Sequence, residues 1–400
     1  MKDIVVIFAQ PIENNTSSMI RCRSMINGLA ELGRKVTCYS PYPNKSNMYY
    51  GEEVTIASGI QVERYGTPIQ DIKAVMEGKL TIKKKIVKSL YHLYKKIDLF
   101  GSSIQYIKYR KEICREILGK EYQIMLSFSS PIVSHIIAGY CKKKVKTIYY
   151  IQQWGDPLAE DMTDRTIVPG FMKRFIETRM LKSADRICYV SPLTCERQKL
   201  LFRKYADRMQ FTPTPCERID YPICNNQKLT IGYLGSYHLV ARDIRPFYNA
   251  ARKSRSFNFI FIGDSDIRLE STENIQVIER LPQKELDQYI AEVDVLVCLM
   301  NSKGAQIPGK LYHYAGTNKE ILVLKDGEYG EQIEIFFEKY DRYTFVENDE
   351  EKIVEALNQY AVNGLPKRCC VEEFCAKNVA GKLIEGVNLK SDCVQKNKCF

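Results

Sequence analysis

Two rhythms of apolar and polar positions alternate along this chain, and the switch between them repeats almost from end to end. Short, almost wholly apolar runs such as Asp294–Met300 (DVLVCLM) and Phe257–Ile262 (FNFIFI) read as strands buried on both faces. Longer stretches between them carry apolar residues at three- and four-residue spacing, the period of a helix covering a core. The first series predicts strands at Ile4–Phe8, Lys35–Ser40, Ile60–Tyr65, Gln123–Phe128, Thr147–Gln152, Arg186–Val190 and Met209–Phe211. Its helices are expected at Ser18–Leu32, Ile104–Leu118, Ile132–Cys141, Phe171–Lys182 and Thr194–Tyr205. Gly33 stands where a left-handed C-cap would close the first of these. A second series predicts strands at Leu229–Leu234, Phe257–Ile262, Ile275–Ile278, Asp294–Met300, Glu320–Leu324 and Tyr343–Val346. Helices Pro246–Lys253, Gln283–Ala291, Lys310–Ala315, Gly330–Phe337 and Glu350–Tyr360 fall between or after them.

Strands that alternate with helices must run parallel, because each crossover returns the chain to the same edge of the sheet. The expected fold is therefore α/β, with two doubly wound, Rossmann-like domains facing each other across a cleft. Residues 1–212 form the first and 229–367 the second. Between them 213–228, with Pro213, Pro215 and Pro222, breaks the rhythm and reads as a linker. The polar residues 390–400 are expected to fray.

Composition fits a large enzyme: 400 residues, 45% of them apolar, are ample for separate cores. The start, MKDIVVIFAQ, runs straight into a strand and does not read as a signal peptide, and no apolar run approaches bilayer length. Fourteen cysteines are scattered with no C-x2-C pair, which points to a reduced, cytoplasmic interior and away from a metal site at Cys369, Cys370 and Cys375. The net charge of +11 asks for an anionic partner. From Lys83 to Lys96, lysines alternate with Ile86, Leu90, Tyr91, Leu93 and Tyr94, as in a basic amphipathic helix lying on the inner face of a membrane; a solvated helix covering a core gives the same pattern. Nothing supports nucleic acid: no zinc pair and no basic aromatic repeat occurs.

The most informative stretch is IPGKLYHYAGTNKEIL, Ile307 to Leu322, a short helix between two apolar strands. Pro308 suits a helix start, where its missing N–H is not needed. Leu311, Tyr314 and Ala315 share one face by spacing, leaving Lys310 and His313 together on another. Free N–H groups, a positive helix end and an ammonium would then converge on an anion such as a diphosphate.

This stretch resembles the C-terminal motif of family-4-type retaining glycosyltransferases, most closely the branch that makes bacterial surface and capsular polysaccharides. The resemblance covers nearly the whole chain and is strongest from Gly232 to Leu324. It implies the GT-B fold, with a last helix in 368–389 crossing back to the first domain. It also implies an acceptor-binding first domain and a second domain holding a nucleotide-sugar donor. His313 stands where the family has a glutamate on the ribose, and Ala305 where the family has the earlier glutamate of its pair. On the donor side Gly235, Ser236, Gly263, Pro308, Gly309, Lys310, Leu311 and His313 are expected at the nucleotide. The loop from Gly235 to Phe247 resembles the family's diphosphate loop, although Ser236 replaces its arginine. Arg242, with Arg245 as a near rival, falls close to the family's second basic residue. Arg280 and Leu281, before Pro282, resemble the loop that reads the base through main-chain bonds. A guanidinium and an ammonium suffice to neutralise a departing diphosphate, so Asp264-Ser265-Asp266 is read as a surface turn and no metal or cofactor is expected.

The loop after the first strand lacks the glycines of a dinucleotide fingerprint. Asn15, Thr16 and Ser17, followed by Arg21 or Arg23, instead resemble the family's acceptor-side segment. Ser129 and Ser130 end another strand, and His135 one turn later reads as a packed helix residue. The cluster QQWGDPLAED carries the only tryptophan, Trp154, and Asp156. Asp156 either orients an acceptor hydroxyl or takes its proton, or else closes an Asp-Pro turn. The reading that emerges is a retaining, metal-independent glycosyltransferase moving a sugar from a nucleotide-sugar to a glycan or lipid-linked acceptor, cytoplasmic and peripheral on the membrane. A non-catalytic glycan-binding scaffold subunit and a GT-B sugar-nucleotide epimerase are the alternatives.

Overall fold

A computed structural model of the chain describes residues 3–47, 49–68, 94–129, 131–161, 164, 166–222 and 227–387. Strands form mainly where the sequence is apolar, with polar residues at edge segments such as Ile60–Tyr65 and Thr344–Glu347, and every pairing between the named strands is parallel. The first sheet contains β1 (Asp3–Ile7), β2 (Val36–Pro41), β3 (Ile60–Tyr65), β4 (Tyr122–Phe128), β5 (Tyr149–Trp154), β6 (Arg186–Tyr189) and β7 (Met209–Phe211), in the order β3-β2-β1-β4-β5-β6-β7. The second contains β8 (Thr230–Leu234), β9 (Asn258–Ile262), β10 (Ile275–Ile278), β11 (Val295–Leu299), β12 (Glu320–Lys325) and β13 (Thr344–Glu347), in the order β10-β9-β8-β11-β12-β13. Each sheet is thus wound outward in both directions from one point, between β1 and β4 in the first and between β8 and β11 in the second. This is the α/β, doubly wound architecture expected from the pattern.

The first compact unit comprises the described parts of 1–212 and 377–400, and the second 213–376. In the first unit α1 (Ser17–Glu31) is capped by the Thr16 hydroxyl, which accepts the Met19 N–H. It ends at Gly33, in the left-handed conformation at φ 73°, with the Gly33 and Arg34 N–H groups bonded back to Ala30 and Leu29. On the other side of the sheet lie α2 (Arg110–Leu118), α3 (Val133–Lys144), α4 (Gly170–Leu181) and α5 (Pro192–Leu201). The long helices expected over 104–118 and 194–205 each divide, into an α-helix and a 3-10 segment at Gly101–Tyr109 and Arg203–Arg208. Both 3-10 segments bury an aromatic side chain, Tyr106 and Tyr205, in the core of this unit.

In the second unit α6 (Arg245–Lys253) and α10 (Glu350–Asn363) cover one face of the sheet through Phe247, Ala250, Ile353 and Leu357. The remaining helices there are α7 (Gln283–Glu292), α8 (Gly309–Ala315) and α9 (Gly330–Glu338). Tyr312 of α8, Phe337 of α9 and Phe374 make a separate edge-to-face aromatic cluster. Residues 213–222, expected as a linker, are bound into this unit: the backbone at Cys216 pairs with that at Cys375, and Ile219 with Thr317, as isolated parallel β-pairs, both cysteines being free thiols. Prolines interrupt the periodicity there without freeing the backbone, because Cys216 and Ile219 still donate to Phe374 and Gly316.

After the second unit the chain enters α11 (Ala376–Ile384), whose Val379, Ala380 and Leu383 are fully buried among Ile4, Val6, Ile26 and Leu29. The Arg186 guanidinium fixes its end by donating to the Leu383 carbonyl at 2.8 Å. Residues distant in sequence therefore complete the first core. Leu383→Ala should lower stability by about 2–5 kcal/mol, the usual range for such a truncation. Denaturant midpoints of the variant and parent chains provide the check, and an unchanged midpoint would show that α11 contributes nothing to the first unit.

Candidate functional site

In the second unit the crossovers leaving β8 and β11 turn to opposite sides, so a crevice opens at the carboxyl ends of these two strands. Pro308 precedes α8, which begins at Gly309 and places Lys310 in its first turn. The Lys310 ammonium donates to the Leu234 carbonyl at the end of β8 and lies 4.8 Å from the centre of the Tyr233 ring. The residue as a whole is partly exposed, but its ammonium is enclosed by these groups. No described carboxylate forms an ion pair with it. Burial lowers its pKa to about 7, and the Arg242 guanidinium pushes the same way.

Arg242 is held by neutral partners. Its Nε donates to Asn301 Oδ1 at 2.9 Å, and Asn301 in turn donates to the Gln306 carbonyl at 3.1 Å. The guanidinium also bonds the Tyr233 hydroxyl, so the same tyrosine meets both cations. Arg245, the rival expected from sequence, is committed to Asp243 at 2.6 Å and its charge is answered there. Two cations without described acidic partners thus lie together at a strand-order reversal, an arrangement of charge that would attract an anion of more than one charge.

Two glycines are required by packing at this point. Gly235 has φ 155°, and a Cβ on it would strike the Lys310 side chain. Gly263 has φ 152°, and its Cβ would strike the Gly235 carbonyl. The role of Gly263 is thus to let the turns after β8 and β9 touch. Ser236 contributes a carbonyl to the Tyr233 hydroxyl at 3.2 Å.

Asp264 pairs with Arg280 at 3.1 Å and Asp266 accepts the Leu239 N–H at 3.0 Å. The carboxylates of the D-x-D are therefore engaged in holding turns. Among the described residues no group of three potential metal ligands is found. Arg280 and partly buried Leu281 lead into Pro282, which caps α7. Leu311 is buried, with its carbonyl accepting from Tyr343 at 2.8 Å, and His313 lies in the last turn of α8.

In the first unit the strand-order reversal lies between β1 and β4. Arg23 points into the loop after β1, where it donates to Ile12 O at 2.8 Å, Asn14 O at 2.7 Å and Asn15 Oδ1 at 2.7 Å. Asn15 and Thr16 are thus parts of the loop framework, while Ser17 is exposed at the helix start. Arg21, one helical step away, reaches the chain at Gly155: a Cβ there would come within 2.9 Å of its guanidinium. The Asp156 carboxyl next to it is raised above the usual carboxylate range by burial, against the charge of Arg21. Ser129 Oγ accepts the Gly155 N–H at 2.8 Å, and Ser129, Arg21 and Gly155 line a small cavity with Ser18 and Gln153. Ser130 lies outside the described residues.

Trp154, expected on the acceptor side, is instead fully buried. Its ring lies 4.4 Å from His135, and its indole donates to Gln152 at 3.1 Å. A strand buried on both faces turns every second residue into a core made with α3 and α4, and Trp154 falls on that phase. His135 is packed as expected, its pKa lowered to about 3 by burial, with Ser127 Oγ 2.7 Å from Nδ1. Reading the sequence misses Tyr233 and Asn301, since an aromatic within a strand and an asparagine after one carry no local signature. It also misses Glu177 of α4, which accepts the Ala159 N–H at 2.8 Å and thereby fixes the loop bearing Asp156.

The chain matches no protein-family model and no curated protein. Its fold is shared with solved GT-B glycosyltransferases. Sucrose-phosphate synthase from Thermosynechococcus elongatus aligns at a TM-score of 0.56 with 11% identity, over 96% of this chain and 94% of the other. Anabaena HepE in complex with UDP and glucose aligns at 0.55 with 8% identity, over 96% and 95%. The lipopolysaccharide outer core galactosyltransferase WaaB aligns at 0.52 with 10% identity, over 96% and 98%. At such identities the likeness defines the fold, GT-B.

The lowered pKa of Lys310 fixes the sign of a pH effect. Above pH 7 the empty site holds a neutral amine, and an anion that restores the ammonium must draw in a proton. The affinity advantage of the parent chain over Lys310→Ala for inorganic pyrophosphate should therefore fall, by up to about tenfold per pH unit, between pH 7.5 and 9. Calorimetry in buffers of different ionisation enthalpy should show the parent chain taking up more protons than Lys310→Ala, the comparison removing the ionisation of pyrophosphate itself. An advantage that is flat over this range would place the anion elsewhere.

Proposed function

We propose that the chain is a retaining, metal-independent glycosyltransferase that moves a sugar from a nucleotide-sugar donor to a hydroxyl of a lipid-linked glycan in cell-surface polysaccharide synthesis. The observation that carries this reading is the pair Lys310 and Arg242 at the β8/β11 reversal, two cations without described acidic partners. The diphosphate of a donor fits that charge. HepE, of the same fold, is solved with UDP and glucose, and WaaB is a galactosyltransferase of a surface glycan.

When the bond between the anomeric carbon and the diphosphate oxygen breaks, both bonding electrons leave with the diphosphate. Lys310 and Arg242 are positioned for the charge that grows there, and because Tyr233 and Asn301 already orient them they need little rearrangement. The acceptor oxygen then forms its bond on the same face, and its proton passes to the departing phosphate. No carboxylate nucleophile is needed. His313 takes the ribose side, and Gly309 and the Arg280–Leu281 turn approach the nucleotide. In the first unit Asp156, its carboxyl raised by burial and answered by Arg21, orients the acceptor hydroxyl. Among the described residues no helix is long and apolar enough to cross a membrane, so contact with a lipid-linked acceptor is peripheral in this reading. Of the basic stretch Lys83–Lys96, Lys95 and Lys96 are described and exposed; the rest lies outside the described residues.

Lys310→Ala should lower turnover about 100-fold or more, the scale of one preorganised electrostatic contact, with a smaller loss of donor affinity. Lys310→Arg should restore only part of it, since a planar fork does not fill the place of a compact ammonium. His313→Ala should act mainly on donor affinity. Turnover and donor dissociation constants for the three variants check this, and near-normal turnover of Lys310→Ala sinks the assignment.

Activity should also survive EDTA, and Asp266→Ala should cost little turnover. Loss of activity in chelator with recovery in manganese would show that a metal holds the leaving group.

A further inference from the structure

The face of the first unit carried by α4 and the segment before it is apolar and exposed, which a monomer in water does not favour. Phe171, Met172 and Phe175 of α4 are 69%, 45% and 60% exposed. Ile167, just before the helix, is 65% exposed, and its N–H donates to the Lys96 carbonyl at 2.8 Å. That bond brings in Tyr94 and Ile97, 44% and 54% exposed. Six large apolar side chains thus lie on two short segments tied together.

Cations surround them. Lys95, Lys96, Arg174 and Arg179 are all exposed, and the Arg179 guanidinium lies over the Phe175 ring at 5.3 Å. The one acid of α4, Glu177, is turned inward, and burial raises its carboxyl to about 8, so it adds little negative charge at neutral pH. Asp164, in the preceding loop, is paired with Lys173. A protein partner's core would be met by fewer charges at the centre of the patch. Phenylalanine and methionine among arginines and lysines instead match the boundary between headgroups and acyl chains of an anionic bilayer.

We propose that this face docks the protein on an anionic membrane surface, with Phe171 and Phe175 entering the acyl boundary and Arg174 and Arg179 meeting lipid phosphates. Its position gives the docking a purpose. α4 follows β5, so its first turns lie at the carboxyl edge of the first sheet, the edge that carries Arg21 and Asp156. A lipid-anchored hydroxyl would be presented at that edge. The inference deepens the acceptor reading given above, and it moves the lipid contact from Lys83–Lys96 alone to a surface that includes α4.

The test is co-sedimentation of the full chain with vesicles of phosphatidylglycerol and phosphatidylcholine, against phosphatidylcholine alone. The parent chain should bind only the anionic vesicles, and less as salt rises. Phe171→Ser with Phe175→Ser should weaken binding about tenfold or more, and Arg174→Glu with Arg179→Glu should abolish it. Pyrophosphate binding measured on the same samples should be unchanged in both, which separates loss of docking from misfolding and from failure of the donor site. Equal binding to neutral and anionic vesicles, or parent-like binding by the Phe171/Phe175 variant, overturns the proposal. So does a parent chain that ignores vesicles but forms dimers which the same substitutions split, because the face would then be an interface between copies.

Discussion

An ammonium buried without a described carboxylate partner organises the carboxyl edge of the second sheet. Desolvating such a charge costs several kcal/mol unless neighbours compensate. Here the Leu234 carbonyl and the Tyr233 ring supply part of that compensation and the Arg242 guanidinium works against it. Each neighbour then constrains the next. A side chain at Gly235 would displace the Lys310 amine and would have to adopt a φ of 155°, and Gly263 can carry none because the Gly235 backbone occupies that space. Arg242 must be oriented by neutral groups, Asn301 and the Tyr233 hydroxyl, since a carboxylate there would cancel the positive field. Burial and the Arg242 charge lower the lysine's pKa to about 7, and an anion bound beside it would raise it again.

The first unit treats buried ionisable groups in the opposite way. His135 is lowered to about 3 and Glu177 raised to about 8, so both are predominantly neutral at pH 7. Hydrogen bonds within the protein answer one side of each, Ser127 at His135 Nδ1 and the Ala159 N–H at Glu177 Oε2, while His135 Nε2 and Glu177 Oε1 have no hydrogen-bond partner among the described residues. Neutral burial serves architecture, and Glu177 serves it visibly by fixing the Asp156 loop. Shifted pKa values alone would single out all three groups as functional. What distinguishes Lys310 is that its shift leaves it near the working pH, beside a second cation, at an open edge of the sheet.

Among the described residues all thirteen strands were legible: the central ones are short apolar runs buried on both faces, while β3, β10 and β13 at or near the sheet edges keep polar and half-exposed positions. The place of Lys310 in the first turn of a helix was legible too, since a proline and a glycine before a lysine mark a helix start between two apolar strands. What local pattern cannot supply is the partner across the fold. Arg21 and Arg23 look alike in sequence, yet one holds a loop through three acceptors and the other faces Gly155 and Asp156. Arg242 and Arg245 are likewise separated only by Asp243, which bonds the second. Trp154 was misplaced because a polar neighbourhood in sequence, Gln152, Gln153 and Asp156, belongs partly to the core, where Gln152 satisfies the indole.

Glycosyl transfer of the kind proposed asks for charge neutralisation on the donor and only orientation on the acceptor. The two sheets divide along that line. In the proposed reading the second would take up a proton at the Lys310 amine as the donor diphosphate binds, and so would couple donor capture to the field that later stabilises the leaving group. The first presents a carboxyl restrained by Arg21 at an edge bordered by apolar and basic surface. Because identical windings place both sets of groups after strands at their reversal points, either unit could change its ligand by changing loops alone. Ser236, His313 and Ala305, where the sequence departs from the glycosyltransferase motif it resembles, lie in or flank such post-strand segments, so substitution there would alter which groups meet a ligand without disturbing the sheets that hold Lys310 and Arg242 in place.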